Sequence, residues 1–110
     1  MSHIDIGSLA KAMLAAAEKV LKVHWNDVRP FAEAEMQKLA VTAAQIEAGR
    51  TAGDLSDAQA KILLRMQANA SQAVLTAVET VGMIAAQDAI NAALQILVQA
   101  VNTAAGFAIL

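Results

Sequence analysis

Apolar and polar residues follow one another along this chain at steps of three and four, the spacing that keeps side chains on one face of an α-helix, and nowhere alternate for long enough to suggest a strand. The clearest run extends from Ser56 to about Ala105. Ser56 stands at a cap position, Asp57 adds negative charge to the first turn, and Ala58, Gln59, Ala60 and Lys61 follow as helix formers. The run contains no proline and a single glycine, Gly82, which the pattern reads as a glycine tolerated inside a helix. Its polar residues, Asn69, Gln72, Thr76, Thr80, Gln87, Asn91, Gln95, Gln99 and Asn102, fall on one line. Asn69, Thr80, Asn91 and Asn102 recur at the eleven-residue period that keeps a stripe on a nearly straight helix.

The first half of the chain is less regular. Met1 to Gly7 reads as an arm and Ser8 as the cap of a first helix, whose stripe is Leu9, Met13, Ala16, Val20 and Val23 and whose end lies near Trp25. Asn26 and Asp27 are cap-type residues, and Pro30 removes one helical hydrogen bond. A break or kink is therefore expected here, with a second helix starting at Asp27 and Pro30 in its first turn. That helix is expected to turn Phe31, Leu39, Ala43 and Ile46 inward and Glu33, Glu35 and Lys38 outward. The two helices can run collinear across the kink or reverse there. Gly49 to Leu55 reads as a loop, with Gly49 as a helix C-cap and Gly53-Asp54 as a turn, so the segments on either side should be antiparallel. Gly106 ends the last helix, leaving Phe107 to Leu110 as an apolar tip.

Composition sharpens this outline. The chain has 110 residues, 57% of them hydrophobic, with a mean hydropathy of +0.47, which is the length of one domain and too apolar for disorder. Much of the apolar fraction is alanine, and the aromatics are one Trp and two Phe. Core burial therefore has to come from close helix approach, and association into a larger bundle would supply what one chain lacks. After Arg65 no Lys or Arg occurs, and only Glu79 and Asp88 carry charge, so this arm expects company on most sides.

Several chemistries are excluded or disfavoured. The net charge of −2 with scattered basic residues argues against nucleic acid. The lack of cysteine removes disulfides, thiolate metal sites and a Cys nucleophile. No Gly-rich phosphate loop, nucleophile elbow or Ser/His/Asp arrangement is present, no cofactor is implied, and no motif marks a known family. A ferritin-like carboxylate site needs Glu-x-x-His pairs, and neither His3 nor His24 provides one, so no metal is expected. Lys11, Glu18, Lys19 and Lys22 interrupt any signal-like apolar run, and cytoplasmic residence is the plain expectation.

Two sets of residues remain as candidates. Folding the chain as a hairpin about Gly49 to Leu55 brings Glu79 level with the kink, so that His24, Arg29 and Glu79 form a polar cluster there. Charge neutralisation of a buried Glu79 is the favoured role, an acid–base pair with an anion clamp the other. Trp25 is read as a plug at the helix junction, and Met13, Met36, Met66 and Met83 as gap-filling core. The second set is the amide stripe Asn91, Gln95, Gln99 and Asn102. From Ala89 to Leu110 no residue is charged, a length that could cross a hydrocarbon core of roughly 30 Å, but the amides and the lack of flanking Lys or Arg disfavour a single-pass anchor. Amides on a face without charges point instead to a subunit contact or a narrow wet channel.

The expected fold is thus all-α: one domain over 1–110, built as a long antiparallel helical hairpin with a first arm kinked near Asn26 to Pro30 and a long second helix from about Asp57 to Ala105, assembling into an oligomeric bundle. The expected function is that of a non-enzymatic structural or interaction protein forming an Ala-rich homo-oligomer. The alternative is a membrane-active or hydrophobic-surface-binding protein that exposes the charge-poor C-terminal helix. Whether a small molecule binds is not encoded in any motif.

Overall fold

The computed structural model describes residues 3–106 and Leu110, and all regular structure among them is helical. Helix α1 spans Ile6–Leu21 and α2 spans Trp25–Ala52, with a 3-10 turn at Lys22–His24 between them. Helix α3 spans Asp57–Ala77 and α4 spans Gly82–Ala105. Helical backbone thus runs from Ile6 to Ala52 without a coil residue. As one straight rod that run would measure about 70 Å at 1.5 Å per residue, whereas the longest dimension of the whole molecule is 42 Å. The run folds back at the 3-10 turn, and His3 beside α1 meets Glu47 near the far end of α2. Likewise Ser71 of α3 meets Glu35 of α2. Each helix is antiparallel to the next, α1 also packs on α4, and α2 touches α4 across the core.

The ends of the elements explain the path. Asp5, not Ser8, caps α1, accepting the Ser8 N–H at 3.0 Å. That backbone hydrogen bond is the chief reason its carboxyl is held below the ordinary carboxylate range, although the group is exposed. The N-terminal arm is accordingly shorter than expected. The first reversal lies at Lys22, whose φ of 36° is the one positive value at a non-glycine residue among those described. Pro30 makes no break. It sits inside α2, five residues after Trp25, where it forfeits one hydrogen bond, to the Asn26 carbonyl, in the second turn of a helix 28 residues long.

Helix α2 also runs past the expected loop, through Gly49 to Ala52, and ends on Gly53 in the left-handed conformation. The Gly49 carbonyl accepts the N–H groups of Asp54 at 2.8 Å and Leu55 at 3.1 Å, folding Leu55 back onto the helix. A Cβ on Gly49 would lie 2.5 Å from Leu55 Cδ1, so the glycine lets the Leu55 side chain fold against the helix, and a larger residue there would displace it. Ser56 then caps α3, as the pattern anticipates, and Gln59, read there only as a helix former, closes a reciprocal capping box with it.

The largest departure from the expected hairpin is at Gly82. The long second arm is two helices. Val78 is extended, Val81 is buried in the turn, and Gly82 opens α4 at φ 77°. A left-handed residue inside the run ends helical propagation, and only glycine adopts it without strain. Nothing lies within 4 Å of a Cβ built there. Gly82→Ala should therefore cost about 1–2 kcal/mol for purely conformational reasons, read as a lower urea midpoint with unchanged slope.

The core is made by Met13, Ala17 and Leu21 of α1, Val28, Met36, Leu39, Ala43 and Ile46 of α2, and Ala86, Ala89, Ile90, Ala93, Leu97 and Val101 of α4. Alanine at many of these positions lets the helices approach closely. Helix α3 stands apart: of its 21 residues only Ala60, Ala68, Ser71 and Leu75 are buried, and Leu75 is the one large side chain among them. Several inward and outward assignments also change. Phe31, Val23, Met66 and Met83 are exposed, whereas Glu35, expected outward, is buried.

Candidate interaction face

Because the chain turns at Gly82, the polar line of the second half is folded onto itself. Asn69 and Gln72 of α3 and Asn91 of α4 come to line one furrow between the two helices, together with Lys61, Arg65, Leu94 and Val98. The furrow has a volume of about 400 Å³, and Leu110 also lines it. The Leu110 N–H donates to Asn102 Oδ1 at 3.0 Å, which holds the last residue against α4. Towards the turn the furrow continues past Thr76 and Ala77 to Met83.

Beside the furrow runs the outer crest of α3. Ile62, Met66, Ala70, Ala73 and Ala77 follow at steps of three and four, with Asn69 beside Ala70, and all six are exposed. Ile62 is 57% exposed and Met66 64%, and on α4 Met83 and Ile84 reach 66% and 76%. Isolated exposed apolar residues are ordinary, but here they form a line along the helix that is least buried in the core. Charges border it at its ends. Lys61 pairs with Asp57 at 3.3 Å, and Arg65 makes no ion pair among the described residues. At the other end stand Glu79, exposed in the turn, and Asp27, which accepts the Thr80 hydroxyl at 3.4 Å.

Behind the crest, α3 is tied to α2 by a small polar network. Ser71 Oγ donates to Glu35 Oε1 at 2.9 Å and accepts from Gln67 Nε2 at 3.1 Å, while Lys38 Nζ donates to Glu35 Oε2 at 3.0 Å. Glu35 is 3% exposed and Ser71 fully buried, so this is the fixed point of an otherwise lightly held helix.

The candidate cluster His24, Arg29 and Glu79 lies at one end of the bundle, but no hydrogen bond or ion pair joins the three among the described residues. Arg29 Nε instead donates to Glu33 Oε1 at 2.8 Å, and that partner holds its guanidinium proton more firmly still. His24 is half-buried, Glu79 is on the surface, and Trp25 packs partly buried against the core. Arg29 follows its own helix neighbour because α2 is already regular at that point, with Glu33 one turn ahead.

The amide stripe is placed on α4 but does not act as a single line. Asn91 opens toward α3, Gln95 points outward, Gln99 lines the groove between α1 and α4, and Asn102 is half-buried with Leu110 as partner. The crest residues Ile62 and Met66 are absent from the sequence-derived candidates. Their signal is the three-and-four spacing of Ile62, Met66, Ala70, Ala73 and Ala77, which resembles any core stripe until it is known which side of α3 the bundle covers. Among the described residues no three His, Cys, Asp or Glu side chains gather as a metal site. The expected apolar tip at Phe107 to Leu110 falls mostly outside the described residues, Leu110 excepted. Compared with protein-family models, curated proteins and solved structures, the chain matches none.

Proposed function

We propose that this protein is a non-enzymatic interaction module that works as a homo-oligomer, with the α3–α4 face as its contact surface. The observation that carries this reading is the inverted apolar balance of α3. It buries one large side chain, Leu75, while Ile62 and Met66 are more than half exposed. Association would cover that crest, and the amides of the furrow can be satisfied in pairs across an interface where charges could not. Helix α4 is long and apolar enough by composition to cross a membrane, but its most apolar line, from Ala86 to Val101, already forms the bundle core, which favours a protein partner over lipid.

The test is molar mass by sedimentation equilibrium over a wide concentration range. Asn91→Lys with Gln95→Lys should retain helicity and reduce the oligomer, because like charges would be brought together at the edge of the contact. An unchanged mass and melting temperature in that double variant would count against the face. Co-sedimentation with liposomes serves as the second arm: a chain that stays monomeric yet pellets with vesicles would transfer the face to a lipid surface.

A further inference from the structure

We infer that the partner seated on this face is a second copy of the chain, with α3 packed antiparallel on α3 about a two-fold axis passing between Asn69 and Ala70. This rests on the homo-oligomer reading above and adds a geometry to it. The argument begins with size. Along the exposed crest of α3 the large residues, Ile62 and Met66, occupy the N-terminal half, and the small ones, Ala70, Ala73 and Ala77, the C-terminal half. In an antiparallel pair, Ile62 comes level with Ala77 of the second copy and Met66 with its Ala73. Asn69 comes level with Ala70, on either side of the axis. Every large side chain then meets an alanine, the alternation that lets facing layers interlock. A parallel pair would set Met66 on Met66 and leave alanine facing alanine across a gap, crowding one end and emptying the other.

Charge and polarity agree with the same orientation. Arg65, which makes no ion pair among the described residues, borders the N-terminal half of the crest beside Lys61, which is paired with Asp57; Glu79 lies just beyond the C-terminal end, where no basic residue follows. Reversing one copy brings Arg65 of each toward the acidic end of the other, whereas the parallel arrangement sets Arg65 against Arg65 and Glu79 against Glu79. Near the axis, the Asn69 amides of the two copies approach, and an amide pair at the centre of an otherwise apolar helical contact fixes its register. The contact is isologous, each copy giving and receiving the same residues, so it closes at two and leaves no face open for a filament.

The lack of cysteine in the chain makes the geometry directly testable. Met66→Cys and Ala73→Cys are made as separate single variants, both at exposed positions, and circular dichroism checks that each keeps its helicity. In the proposed pair, each substituted position lies level with the other and about 10 Å along the axis from its own mate, beyond disulfide reach. Mild oxidation should therefore cross-link a mixture of the two variants far more than either one alone. Cross-linking of either variant with itself, at the yield of the mixture or above, would show a parallel contact or another register and overturn the inference. So would absence of cross-linking in a mixture that sedimentation still shows to be oligomeric, and in both cases the homo-oligomer reading would stand. A chain monomeric at every concentration would remove both.

Discussion

Leu75→Ala should lower the unfolding free energy by about 2–5 kcal/mol, the range for emptying a fully buried leucine site, and should release α3 before the rest of the bundle. Leu75 is the only large side chain by which α3 is fully inserted in the core; the other buried residues of that helix are Ala60, Ala68 and Ser71. Losing it leaves α3 with the Ser71 network and the partly buried Leu64 against the core. Local opening follows the number of buried apolar contacts, so amide exchange in Asp57–Ala77 should accelerate more than in α4. Leu63→Ala, at 39% exposure on the same helix, provides the comparison, with an expected change of about 0.5 kcal/mol or less. Equal losses in the two variants would mean that Leu75 is not the anchor of α3.

Ser71→Ala should cost about 1.5–3 kcal/mol, the worth of a hydrogen bond to a charged group, although it deletes one oxygen atom. The hydroxyl donates to Glu35 Oε1 at a site where the carboxylate is 3% exposed, and Lys38 reaches only the other oxygen. Removing the donor leaves a buried, charged acceptor unsatisfied on one side. Replacing both ends, Ser71→Ala with Glu35→Met, should recover most of the loss, because an apolar pair needs no partner. A double-mutant cycle by urea unfolding measures the coupling. A double variant as unstable as the two singles combined would show that Ser71 and Glu35 act independently.

What the sequence shows of this fold is decided by range. Helical spacing, the Ser56 cap and the glycine stop at Gly106 are local features, and each is read directly from neighbours in the chain. The reversals are different. Asn26, Asp27 and Pro30 carry stronger local signals than Lys22, yet the chain turns at Lys22 and Pro30 is absorbed into the start of α2. Gly82 looks the same whether tolerated in a helix or required by a turn. Only packing of α3 and α4 on the other helices decides, and it places φ at 77°. The candidate site follows the same rule. The polar line was visible as a period along one axis, while its conversion into two walls of a furrow depends on that one turn.

The corners at the two ends of α3 share one feature. Between α2 and α3, Gly53 stands at φ 80° with nothing within 4 Å of a Cβ position, while the Leu55 side chain folds against Gly49. At Gly82, nothing lies within 4 Å of that position, and the joint between α3 and α4 is an open bend. A helix that inserts one large side chain into the core is thus bracketed by two left-handed glycines with open space beside them, and α3, not α4, is the segment whose two ends leave it free to pivot.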